Sequence, residues 1–102
     1  MTKVETISQY YDILEKNEYS FIVYHSENGC AACHLLINEL NSINPSHLYY
    51  INVDKDVFSS LLYRINITQL PTIEKYNYYK LKDLFEGYDA SMKEKLKKFL
   101  IK

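Results

Sequence analysis

Cys30 and Cys33 are the only cysteines in this chain of 102 residues, and two alanines separate them. On a helix that spacing sets both sulfurs on one face, close enough for a disulfide after small adjustment. Ahead of them runs Phe21-Ile22-Val23-Tyr24, rich in strand formers, and behind them Leu36, Ile37 and Leu40 recur at helical intervals from Cys33. The pair therefore falls where a strand hands over to a helix. Cys30 then lies near the helix N-terminus, where unpaired N–H groups and the helix dipole favour an anion. A thiolate is such an anion, and it is the reactive form of cysteine. This context points the pair towards redox chemistry.

Three other readings of the pair stand beside this one. A structural disulfide closing so short a loop constrains the unfolded chain little. A structural zinc site takes four ligands as a rule, and neither a second CxxC nor finger-like spacing of His25, His34 and His47 is present. The string Cys30-Ala31-Ala32-Cys33-His34 also spells the CxxCH of c-type haem attachment. A haem protein would need His34 and a second ligand such as Met92. The strand-to-helix context favours a redox dithiol that needs no metal and no added cofactor.

The elements that position the pair come from the rest of the chain. Hydrophobic residues make up 47% of it, and Gly and Pro number two each, which suits a single domain over residues 1–102 without long linkers. A formal net charge of −1 argues against a nucleic-acid surface. Lys93, Lys95, Lys97, Lys98 and Lys102 read as the solvated face of a last helix. Residues 1–20 hold no apolar run resembling a signal peptide or membrane span. The expectation is a cytoplasmic monomer with no membrane contact, in a reducing compartment where a retained cysteine pair is more often catalytic than structural.

Ile7, Tyr10, Tyr11 and Leu14 form the stripe of a first helix, with Thr6 and Gln9 as its capping box. Tyr19 to Tyr24 reads as a strand, with Lys3-Val4 as a short edge pairing. A second helix runs from about Cys30 to Asn44-Pro45, and Leu48 to Val53 follows as a buried parallel strand. Asp54-Lys55-Asp56 has the carboxylates of a helix N-terminus, ahead of a stripe from Val57 to Ile65. Thr72 to Tyr76 and Leu81 to Glu86 predict an antiparallel hairpin whose turn lacks glycine. Ser91 and Glu94 predict a capping box for a last helix that turns Met92, Leu96, Phe99 and Leu100 inward.

Taken together, the strand running into CxxC, the strand ending Asn52-Val53-Asp54, the Leu70-Pro71-Thr72 step and Gly87 before the last helix resemble a thioredoxin-like protein along the whole chain. The resemblance implies an α/β thioredoxin-like fold, a central mixed sheet of about four to five strands flanked by about four helices. It implies that Pro71 is cis and packs beside the cysteines. Leu70 would offer backbone groups to an extended substrate segment, and Gly29, Gly87 and Tyr88 would line the same shallow groove. Partners would be a disulfide-containing protein substrate and an electron donor such as a thioredoxin reductase or another thiol.

The implied activity is that of a thiol–disulfide oxidoreductase, with Cys30 as nucleophile and Cys33 as resolving cysteine. His34, four residues after Cys30, is a candidate modulator on the same helix face. A non-catalytic thioredoxin-like adaptor is the alternative. The chain departs from typical thioredoxins in having Gly29 before the first cysteine and Ala31-Ala32 between the two. By position, the aspartate that thioredoxins bury on the central strand falls at Tyr24, and its lysine partner falls at Tyr50. Tyr24 cannot accept a proton at neutral pH, since a tyrosine titrates near about 10. Cys33 is then expected to lose its proton to water, to Cys30 or to His34.

Overall fold

Six consecutive buried residues, Ser20 to His25, need cover on both faces of their strand, and the fold supplies it. The structure is a computed structural model that describes residues 1–101; Lys102 lies outside the described residues. In chain order the elements are β1 (Thr2–Lys3), α1 (Ile7–Lys16), β2 (Tyr19–His25), α2 (Ala31–Ile43), β3 (Leu48–Asn52), α3 (Ser59–Arg64), β4 (Thr72–Asn77), β5 (Lys80–Glu86) and α4 (Lys93–Phe99). The strands form one mixed sheet in the order β1-β3-β2-β4-β5. β3 runs parallel to both β1 and β2, while β2/β4 and β4/β5 are antiparallel.

The pleat divides β2 between two cores. Phe21 and Val23 pack with Leu36 and Leu40 of α2 and with Leu96 and Phe99 of α4. Ile22 and Tyr24 pack on the opposite face with Tyr10 and Leu14 of α1 and Leu61 of α3. Leu36 and Leu40 are fully buried, and each such side chain contributes about 1.5–3 kcal/mol through burial. That burial holds α2, and with it the cysteine pair, on the sheet.

Local signals set several boundaries. The Thr6–Gln9 capping box forms in full, with Gln9 N–H donating to Thr6 Oγ1 at 3.1 Å and Thr6 N–H donating to Gln9 Oε1 at 3.1 Å. α2 ends at Asn44, which adopts the left-handed conformation (φ 51°) before Pro45. The β4–β5 turn manages without glycine because Tyr78 takes a positive φ of 50°.

Two expected helix starts are corrected. Asp54-Lys55-Asp56 does not open α3. A single 3-10 turn over Asp56–Phe58 comes first, and the Asp54 carboxylate faces back to the loop after β2. The Ser91–Glu94 capping box is not formed either. Asp89 caps a 3-10 turn at Ala90–Met92 by accepting from the Ser91 N–H at 2.8 Å, so α4 begins two residues after Ser91. In both places a carboxylate reached an earlier donor than the sequence pattern implied.

Candidate active site at the Cys30–Cys33 pair

Cys30 and Cys33 form a disulfide, with their Cα atoms 5.2 Å apart. Cys30 is the N-cap of α2, and its Sγ accepts the Cys33 N–H at 3.2 Å. Were the pair reduced, the same N–H and the helix dipole would favour negative charge on Cys30. Cys30 is half-buried, whereas Cys33 is only 1% exposed. Ser26 donates its N–H to Cys33 Sγ at 3.5 Å, which ties the second sulfur to the end of β2.

The loop that delivers Cys30 is anchored by Asp54. Its carboxylate accepts the Ser26 hydroxyl at 2.9 Å, the Glu27 N–H at 3.1 Å and the Asn28 side-chain amide at 3.1 Å. Ser26 Oγ in turn accepts the Asn28 N–H at 3.1 Å. Gly29 follows with a φ of +66°, a conformation that side chains with a Cβ disfavour. The sequence offered Asp54 as a helix start; its place in the Asn52-Val53-Asp54 strand end was the available signal for this second role.

The register Tyr24↔Thr72 sets Pro71, at the start of β4, at the same end of the sheet as the cysteine loop. The Leu70–Pro71 bond is cis. Gly87 donates its N–H to the Pro71 carbonyl at 2.8 Å, with a φ of +74° and the Gln69 side chain against it. Pro71 and Gly87 are therefore brought together. Leu70 instead lines a small cavity of about 200 Å³ with Val53, Leu62 and Ile67. Tyr88 is 8% exposed and joins the α2/α4 core, its ring 6.5 Å from Phe85.

Tyr24 and Tyr50 do not form a pair, contrary to the alignment by position. In the parallel β2/β3 register Val23 lies beside Tyr50, and Tyr24 lies beside Ile51. The two tyrosines thus point to opposite faces of the sheet. Tyr24 donates its hydroxyl to Glu74 Oε1 at 2.6 Å in the α1/α3 core, and burial raises its pKa far above 10.0. The β2 residue on the α2 face at the level of the site is His25. It lines a cavity of about 490 Å³ together with Cys33, His34, Glu27 and Tyr50. Burial holds the His25 imidazole below its ordinary value of 6.5, opposed by the nearby Glu27 and Asp54 carboxylates. His25 alternates with Val23 along β2, and that alternation was the signal that placed it on the face of α2.

No protein-family model matches the chain, and no curated protein matches it. Solved structures do. A thioredoxin of Plasmodium falciparum superposes with a TM-score of 0.77 at 24% identity, covering 98% of this chain and 96% of that one. Thioredoxin O1 of Arabidopsis thaliana in the oxidized state gives 0.78 at 18% identity, covering 99% and 97%. Trxlp of Edwardsiella tarda gives 0.82 at 14% identity, with both chains covered at 100%. The molecule is a thioredoxin-fold protein, a five-stranded mixed sheet with four helices carrying a CxxC disulfide. Among the described residues no group of His, Cys, Asp or Glu is arranged to hold a metal ion, and no helix is long and apolar enough to cross a membrane.

Proposed function

We propose that the protein is a thiol–disulfide oxidoreductase that reduces or exchanges disulfides of protein substrates. The observation that carries this reading is the asymmetry of the pair: Cys30 caps α2 and is half-buried, while Cys33 is sealed one turn behind it. Cys30, as thiolate, attacks a substrate disulfide and expels one substrate sulfur. Cys33 then attacks Cys30 and releases the second, leaving the Cys30–Cys33 disulfide. Return to the dithiol draws two electrons from a donor such as a thioredoxin reductase or another thiol. An extended substrate segment lies against Leu70 and Pro71, taking its main-chain hydrogen bonds from Leu70, with Gly29 and Gly87 around the groove, whereas Tyr88, expected there too, belongs to the α2/α4 core. A reducing cytosol is the compartment that suits such a cycle.

Trapping tests the assignment of roles. Cys33→Ser should accumulate a mixed disulfide through Cys30 with protein substrates, and Cys30→Ser should accumulate almost none. Equal trapping by both variants would refute the roles. Failure of the parent to reduce any protein disulfide in the presence of dithiothreitol would favour an adaptor that only binds.

A further inference from the structure

The lysines of α4 divide into two sets by their partners. Lys93 pairs with Glu39 at 3.7 Å, and Lys97 pairs with Glu94 at 3.5 Å. Lys95 and Lys98 are exposed and have no ion pair among the described residues. Both line a cleft of about 400 Å³ between α4 and the edge strand β5, where Lys75 of β4 joins them. That volume lies within the range of small-molecule sites.

Lys75 is held in place at this cleft. It is half-buried, and its Nζ donates to the Ile101 carbonyl at 2.8 Å. The ammonium also lies 5.7 Å from the centre of the Phe21 ring and 5.1 Å from that of Phe99. An ammonium has three donors, so two are left after the bond to Ile101. The buried rings of Phe85 and Phe99, 5.5 Å apart, form an apolar floor, and Leu84, 42% exposed, adds an apolar side. Among the described residues Asp83 is the one carboxylate lining the cleft, and its Oδ1 accepts the Leu84 N–H at 2.9 Å. Three ammonium groups against one carboxylate leave an excess of two positive charges above aromatic rings. Like charges gathered in this way repel one another, and a bound anion relieves that cost.

We propose that the cleft between α4 and β5 binds a phosphate monoester carried on a flat apolar body. Such a head group bears a charge of about −1.5 to −2 at pH 7 and offers three acceptor oxygens, which matches the excess charge and the three lysines. Lys75, Lys95 and Lys98 hold the head by charge-assisted hydrogen bonds, while the apolar body lies against Leu84 and Phe99. The site stands apart from the cysteine pair. Lys75 lies beside Phe21 in the β2/β4 register, three residues along β4 from Thr72, a separation of roughly 10 Å. The proposal therefore does not rest on the oxidoreductase reading, and the ligand is not the disulfide substrate.

Two-dimensional NMR of the isotope-labelled full chain, titrated with phenyl phosphate, tests the site. Saturable amide shifts should gather on Lys75, on residues 83–85 and on residues 95–99, with a dissociation constant of about 1 mM or lower. Inorganic phosphate, which lacks the apolar body, and benzyl alcohol, which lacks the charge, should each bind at least about tenfold more weakly. The double variant Lys95→Gln, Lys98→Gln should bind phenyl phosphate about tenfold more weakly than the parent. Its counterpart Lys95→Arg, Lys98→Arg keeps both charges and should stay within about threefold of the parent. Absence of saturable shifts at this cleft at about 10 mM phenyl phosphate overturns the proposal. So does inorganic phosphate binding as tightly as phenyl phosphate, which would reduce the cleft to a charged surface. Parent-like affinity in the glutamine variant, with the rest of its spectrum unchanged, overturns it too.

Discussion

Tyr24→Phe removes a single hydroxyl from the α1/α3 core and leaves the ring, so it opens no cavity. Tyr24 is fully buried and donates to Glu74 Oε1 at 2.6 Å. Tyr76 donates to the same oxygen at 2.9 Å, and its hydroxyl lies 3.2 Å from that of Tyr10. Burial raises the Glu74 carboxyl above 4.5, while the two tyrosine hydrogen bonds pull it back. A carboxyl whose folded pKa is raised contributes its stability fully below 4.5 and loses it as pH rises through the folded value. Loss of the Tyr24 donor raises that folded value further, so ionisation at high pH becomes costlier. A hydrogen bond to a neutral group contributes about 0.5–1.5 kcal/mol and one to an ionised group about 1.5–3 kcal/mol. Tyr24→Phe should therefore cost about 1 kcal/mol at pH 4 and about 2–3 kcal/mol at pH 8.5. Urea denaturation of oxidised parent and variant at both pH values measures the difference. In a Glu74→Gln background the cost should be about 1 kcal/mol at either pH. Equal costs at both pH values in the parent background would refute the reasoning that Glu74 ionises within this network.

Further outcomes follow from the site. Asp54→Ala removes the acceptor of three loop hydrogen bonds and should cost about 1–2 kcal/mol in denaturation, with slower attack by Cys30 as the loop loosens. The lowered His25 pKa contributes stability that is present above 6.5 and lost as pH falls through the folded value. Denaturation between pH 5 and 7.5 should show that loss in the parent and a flatter profile in His25→Gln. A Cys30 thiolate favoured by the α2 N-terminus would stabilise the reduced state, and the expected potential is less reducing than the about −270 mV of typical thioredoxin. Equilibration with glutathione measures the potential, and a clearly more negative value would contradict the argument.

The sequence by itself determined the features that depend on neighbours within a turn or two of chain. The Thr6–Gln9 box, the continuous apolar run of β2, the stop at Asn44-Pro45 and the β4–β5 hairpin are all local matters of capping, periodicity and backbone preference. The place of Cys30 at the head of α2 is local too, because the N–H it meets is that of Cys33, three residues on. Tertiary structure decided what lies behind the pair. Counting back from Cys30 assigns Tyr24 to that place, but neighbouring strand residues face opposite ways, and a shift of one residue exchanges the faces. The packing of α2 against Phe21 and Val23 puts His25 on the face of the sheet that α2 covers, where it lines one cavity with Cys33, and turns Tyr24 towards α1 and α3. Asp54 reaches Ser26 across 28 residues of sequence, and Glu74 meets Tyr24 across 50. No local pattern encodes such pairings, because the partners become neighbours only when the parallel β2/β3 and antiparallel β2/β4 registers close the sheet.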